Sequence, residues 1–150
     1  MRAGPVTPQH ALILPIAHLP VSTQFSESML TEVSRFKTAL RQTLALVDQT
    51  CVFFERHVPT KGVSHMHLQC LPVPNANIAA IGPAFAAAAT KIGIDLREIP
   101  PAQGGSQKQI VGSSEYFMWI ELPDESIMWS PIDAQSRAAT KVIQFGRFVV

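Results

Sequence analysis

The chain has 150 residues, 47% hydrophobic and 15% charged, the size of one ordinary domain with a single sizeable core. Twelve basic residues against 11 acidic ones leave a net charge of +1, which excludes a surface built broadly for polyanions, so any phosphate recognition must be local. Two cysteines, Cys51 and Cys70, each lie inside an apolar run; they argue against a disulfide framework or a cysteine-built zinc site and fit a reducing compartment.

The first five residues lack the apolar stretch of a secretory signal, and the alanine-rich stretch 76–92 is broken by Gly82, Pro83 and Lys91, so a soluble chain is expected. Residues 11–16 form an apolar run of strand length, with Pro15 marking an edge or a strand end. From Ser26 to about Val47, Leu30, Val33, Phe36, Leu40, Leu44 and Val47 recur every three or four residues, the period of one helical face. Ser26 suits the N-cap, with Glu27 and Glu32 near the positive end of the dipole. Residues 51–58 read as a strand that stops at Pro59, and Thr60-Lys61-Gly62 as the turn of a hairpin whose second arm runs from Val63 to Val73.

Asn75 is placed to cap a second helix over about 76–92, bent or divided by Pro83 and closed by Gly93. Strands follow at 94–99, 115–122 and 127–132, with residues 100–114 left as a Gly- and Pro-rich loop. Strands flanking helices, with tight hairpin signals, predict an α+β domain: a mainly antiparallel sheet with one long and one shorter helix.

Chemistry concentrates at His65-Met66-His67-Leu68-Gln69. On a strand, residues two apart share a face, so His65, His67 and Gln69 would point one way and Met66, Leu68 and Cys70 the other, toward the core. A polar row buried without partners would cost a few kcal/mol per group, so its face should meet a ligand or a water-filled cleft. Zinc is one reading, with His10, His18 or His57 as a third ligand, although glutamine ligates zinc poorly. A second is nucleophilic attack on phosphorus, with His67 flanked on both sides. A third is a pair of surface histidines with no ligand at all. Elsewhere, Trp119, Trp129, Phe117 and Tyr116 could stack bases but suit core strands better, and Lys108 falls in a loop without the spacing of a phosphate-binding Walker motif.

Two motifs in order sharpen the choice. Gln9 to His18, an apolar run with Pro15 between two histidines, resembles the upstream segment of the histidine-triad superfamily, and His65 to Leu71 resembles its His-φ-His-φ-His-φ-φ signature (φ apolar) with Gln69 in the third position. More narrowly, Gly4-Pro5, Phe36 to Arg41, Val52 to Arg56, His65 to Pro74, Tyr116-Phe117, Glu121-Leu122-Pro123 and Gln144 to Arg147 are together similar to the C-terminal region of CwfJ-family proteins. The likeness covers nearly the whole chain.

That resemblance implies a histidine-triad-like domain of a nuclear mRNA-splicing and intron-lariat-turnover protein. It implies spliceosome components and the lariat debranching enzyme as partners, RNA or a nucleotide as ligand, and no cofactor, metal or membrane. Carried over by position, His67 would be the nucleophile's counterpart, flanked by His65, Gln69 and His10. Gly62 would bring a backbone N–H to the phosphate, with His18, Arg56 and Lys61 nearby on the substrate side, and Glu55 or Arg56 near the ribose. The family pattern starts further upstream and continues past Arg147, so residues 1–150 are expected to form a single domain truncated at both ends and lacking about two N-terminal strands.

Overall fold

The computed structural model describes residues 5, 7–58, 62, 64–103 and 105–135. Among these residues six strands, β1 (Ala11–Ile13), β2 (Gln49–His57), β3 (Leu68–Pro74), β4 (Arg97–Ile99), β5 (Phe117–Glu121) and β6 (Ile127–Pro131), form one sheet in the order β1-β3-β2-β5-β6-β4. Every pairing is antiparallel. With three helices, α1 (Glu27–Ala45), α2 (Ile78–Ile92) and α3 (Gln107–Val111), this is the expected α+β class.

The sheet is covered on both faces. β2 lies centrally and is buried at five successive positions, Cys51 to Glu55, the pattern of a strand with helices on either side. Its residues Val52 and Phe54, with Val58 just past its end, join Leu71, Val73, Met118 and Ile120 in a core closed by Ile81, Phe85 and Ala89 of α2. Those three helix positions are four apart, which sets them on one stripe. On the other face, Cys51 and Phe53 pack with Met66, Leu68 and Cys70 beneath Leu44, Val33 and Leu40 of α1. Further along that face, Phe117, Trp119 and Trp129 pack with Val21 and with Val111 of α3, so both tryptophans belong to the core.

α1 starts where the sequence places it, with Ser26 Oγ accepting from the Met29 N–H at 3.3 Å. α2 runs unbroken through Pro83, and Gly93 at φ 80° closes it in the left-handed conformation. Asn75 does not cap α2. It begins a 3-10 turn, Asn75–Asn77, and its side chain donates to Asp48 Oδ1 at 2.8 Å. The loop 100–114 also holds more order than expected: Pro101–Gln103 is a 3-10 turn, and Ser106 and Gln109 form a reciprocal capping box that starts α3, placing Lys108 on a helix.

The first and fourth strands are shorter than the segments 11–16 and 94–99 expected for them, three residues each. β1 pairs with β3 at Leu68, Gln69 and Cys70, so among the described residues β3 is an edge beyond that point, which is where Pro72 and Pro74 are tolerated. Among the described residues, no helix is long and apolar enough to cross a membrane.

Candidate functional site

β3 begins at Leu68, so of the three-residue polar row only Gln69 is on a strand; His65 and His67 precede it. The cause is local. The Met66 N–H donates to Leu19 O at 2.8 Å instead of joining a β ladder, so the chain leaves the sheet there. The alternation survives the break: Met66, Leu68 and Cys70 are buried together under α1, while His65 and His67 are half-buried. Gln69 is deeper than an open ligand face would have it, 8% exposed between Leu12 of β1 and Phe54 of β2.

The segment between β1 and α1 supplies the histidines' partners. His65 Nε2–H donates to Pro15 O at 2.9 Å, and the His18 ring meets the His65 ring edge-on at 5.2 Å between centroids. His67 Nδ1–H donates to His65 O at 3.3 Å. A carbonyl oxygen can only accept, so these bonds fix the neutral tautomers: His65 keeps its lone pair on Nδ1, and His67 keeps its lone pair on Nε2.

The other expected residues lie around this segment or apart from it. His10 is half-buried and immediately precedes β1, two residues before Leu12, the partner of Gln69. Arg56 is half-buried on β2, two residues past Phe54, which puts it on the same face as Gln69 by strand alternation. Gly62 is exposed at φ 103°, with open space where a Cβ would stand. Lys61 lies outside the described residues. His18 and His65 are therefore brought together, with His67 tied to the His65 backbone, and Gln69 follows on the strand. His57 is elsewhere, its ring 5.4 Å from Tyr116 and 6.0 Å from Phe117. Burial lowers its pKa, against the raising effect of Glu55, Glu115 and the Pro20 carbonyl. Among the described residues, no three histidine, cysteine or acidic side chains come together to hold a metal.

Glu55, named with Arg56 for the place near a ribose, is 2% exposed and lies on the α1 and α3 side of the sheet, across β2 from Arg56. Oε1 accepts from the Ser22 N–H at 3.0 Å, and Oε2 accepts from Gln107 Nε2 at 2.9 Å. The Ser22 hydroxyl lies between Glu55 Oε2 and Gln107 Oε1, the latter at 2.8 Å. A lone carboxylate directly after the apolar run Cys51 to Phe54 was the one signal for this cluster, because a buried charge must find partners. Nothing local points to Ser22 or Gln107.

A second polar group sits nearby on the same face. Lys37 Nζ pairs with both oxygens of Glu121 at 2.7 Å, Trp119 Nε1 donates to Glu121 Oε1 at 3.1 Å, and Lys37 and Arg41 lie 5.5 and 5.1 Å above the Phe53 ring. The buried thiols of Cys51 and Cys70 hydrogen-bond to each other, which lowers the pKa of Cys51 and, with burial, raises that of Cys70.

This single-sheet α+β domain with its histidine segment has relatives. A family described as "Protein similar to CwfJ C-terminal" matches residues 1–86, and the chain belongs to that family. It is 31% identical to Zinc finger CCCH domain-containing protein 64 of Arabidopsis thaliana, over 98% of this chain and 24% of that protein. It is 30% identical to CWF19-like protein 1 of Homo sapiens, over 98% of this chain and 26% of that protein. A stretch covering 46% of the chain is 33% identical to 7% of CWF19-like protein 2 of Danio rerio. The chain thus spans about a quarter of the length of the first two relatives.

Proposed function

We propose that this chain is a binding module for RNA phosphates or a nucleotide in mRNA splicing and intron-lariat turnover, acting in the nucleus with spliceosome components and the lariat debranching enzyme. Family membership supports the context. The observation that carries the binding role is the pair of imidazoles with fixed tautomers, above all His67, whose Nδ1–H is taken by His65 O and whose Nε2 is left as the working atom. When protonated, that nitrogen donates to a phosphate oxygen, a charge-assisted bond stronger than a neutral one.

The test is a calorimetric titration of the chain with adenosine 5′-monophosphate and with a short single-stranded RNA. Binding that weakens about tenfold in His67→Ala, about 1.4 kcal/mol, supports the reading. Equal affinity of wild type and variant for both ligands overturns it. Partner capture is a separate arm: His67→Ala should leave capture of the debranching enzyme mostly unchanged, and failure of the wild type to capture it counts against the lariat context.

The free Nε2 of His67 also favours a second reading, nucleotidyl transfer. Nε2 attacks the α-phosphorus, the N–P bond forms, and the P–O bond to the leaving group breaks. The leaving group departs with the electron pair and takes a proton from water. Water then cleaves the N–P bond, returning that pair to Nε2 and releasing the nucleoside monophosphate. A phosphate-bonded histidine after incubation with a nucleotide analogue, absent in His67→Ala, supports this reading; no adduct on the folded protein contradicts it.

A further inference from the structure

We propose that the Glu55, Ser22 and Gln107 cluster is a positioning device for the histidine segment, acting through the chain between β1 and α1. As a statement about regulation of the phosphate site, it rests on the reading above.

Between Ile13 and Ser22 the chain forms no helix or strand, so its course depends on what it touches. It carries Pro15 and Pro20, which lack the N–H that a ladder would use. At one end it holds the histidines: Pro15 O accepts from His65, Leu19 O accepts from the Met66 N–H, and the His18 ring meets His65. At the other end it is tied down by Glu55, which accepts from both the backbone N–H and the hydroxyl of Ser22. Gln107 completes the cluster: its Nε2 donates to Glu55 Oε2, and its Oε1 shares with Glu55 the single Ser22 hydroxyl proton, which links α3 to β2 and to this strap.

The chain of dependence is short. Glu55 fixes Ser22, Ser22 fixes the strap, the strap's Pro15 carbonyl fixes the His65 tautomer, and the His65 carbonyl fixes that of His67. The same strap touches His57 through the Pro20 carbonyl, so it meets the end of β2 at two residues of one face, Glu55 and His57. An imidazole that must present one nitrogen to phosphate works best when its other nitrogen is held, as first-contact groups need support from behind. Glu55 has no part in binding phosphate itself. It stands on the opposite face of β2 from Arg56 and Phe54, the neighbour of Gln69, and acts only through the strap.

The experiment compares wild type, Ser22→Ala, Gln107→Ala, Glu55→Gln and the control Ile81→Val, which trims the α2 core on the face of the sheet opposite Glu55. Imidazole nitrogen shifts of the 15N-histidine-labelled protein report the tautomers without any ligand, and titration with adenosine 5′-monophosphate reports the site. Ser22→Ala is expected to give His65 a mixed tautomer and to weaken binding about tenfold. Gln107→Ala should do the same more mildly, and Glu55→Gln, which keeps an oxygen for the Ser22 N–H, should retain most of the wild-type pattern. Ile81→Val should lower the melting temperature without moving either histidine. Variants that melt lower while His65 and His67 keep wild-type shifts would overturn the proposal. If Ser22→Ala fails to fold, the Gln107→Ala spectrum decides in the same way. Absence of nucleotide binding in the wild type would strike the phosphate reading alone, because the tautomer readout needs no ligand.

Discussion

On the α2 side of the sheet, β2 sends Val52 and Phe54 into a core that also receives Ile81 and Phe85, and the buried polar side chains on that face, Gln69 opposite Phe54 and Ser130 opposite Met118, are uncharged. On the α1 and α3 side, the same strand sends Cys51, Phe53 and Glu55 among two thiols, the Lys37 and Glu121 pair and the Ser22 and Gln107 cluster. One face thus draws its stability mainly from apolar packing, and the other uses charged groups drawn into or against the core to hold particular chain segments in place. Polar groups in a low-dielectric interior are costly when unpaired and directional when paired, so they suit fixing a strap better than adding stability.

Substitutions on the two faces should therefore behave differently, most strongly in the apolar core. Phe85→Ala removes the largest α2 side chain there and should cost about 3–5 kcal/mol in urea unfolding; a loss below about 1 kcal/mol would mean that α2 closes nothing. Glu55→Ala leaves Ser22 and Gln107 without their acceptor and should cost roughly 1–3 kcal/mol, with a change in the histidine shifts that Phe85→Ala lacks. Similar histidine spectra for both variants would erase the distinction between the faces. Lys37→Met breaks a pair whose side chains remain 19% and 22% exposed, and should cost under about 1 kcal/mol, less in high salt.

The smallest effect is expected in the pH dependence of stability. Burial lowers the folded-state pKa of His57, so the unfolded chain binds the proton more readily. The contribution is present above the unfolded-state value of about 6.5 and is lost as pH falls through the folded value. Melting curves of His57→Gln between pH 7.5 and 5 should therefore fall less steeply than those of wild type. An unchanged slope would mean that His57 carries no share of the acid sensitivity.

Much of this architecture was legible in the sequence. The spacing of Leu30, Val33, Leu40 and Leu44 announces α1, and the alternation of Met66, Leu68 and Cys70 identifies the buried side of the histidine segment. The capping box at Ser106 was equally readable, although a Gly- and Pro-rich setting masks it. The bonds that end the β3 ladder and fix the tautomers were not readable. Met66 to Leu19, His65 to Pro15 and Glu55 to Gln107 join residues 47, 50 and 52 positions apart through segments without period, and periodicity carries information only within an element.

The proposed role of the site depends on His67 presenting Nε2 to phosphate because its Nδ1–H is held by the His65 carbonyl. Long-range 1H–15N correlation spectra of the histidine-labelled chain, recorded above pH 7 with and without adenosine 5′-monophosphate, test it most directly. The expected result is a His67 that is neutral in the Nδ1–H form without ligand and whose Nε2 takes up a proton, with the matching change in its resonance, on addition of the nucleotide. A His67 in the Nε2–H form that ignores the nucleotide would contradict it.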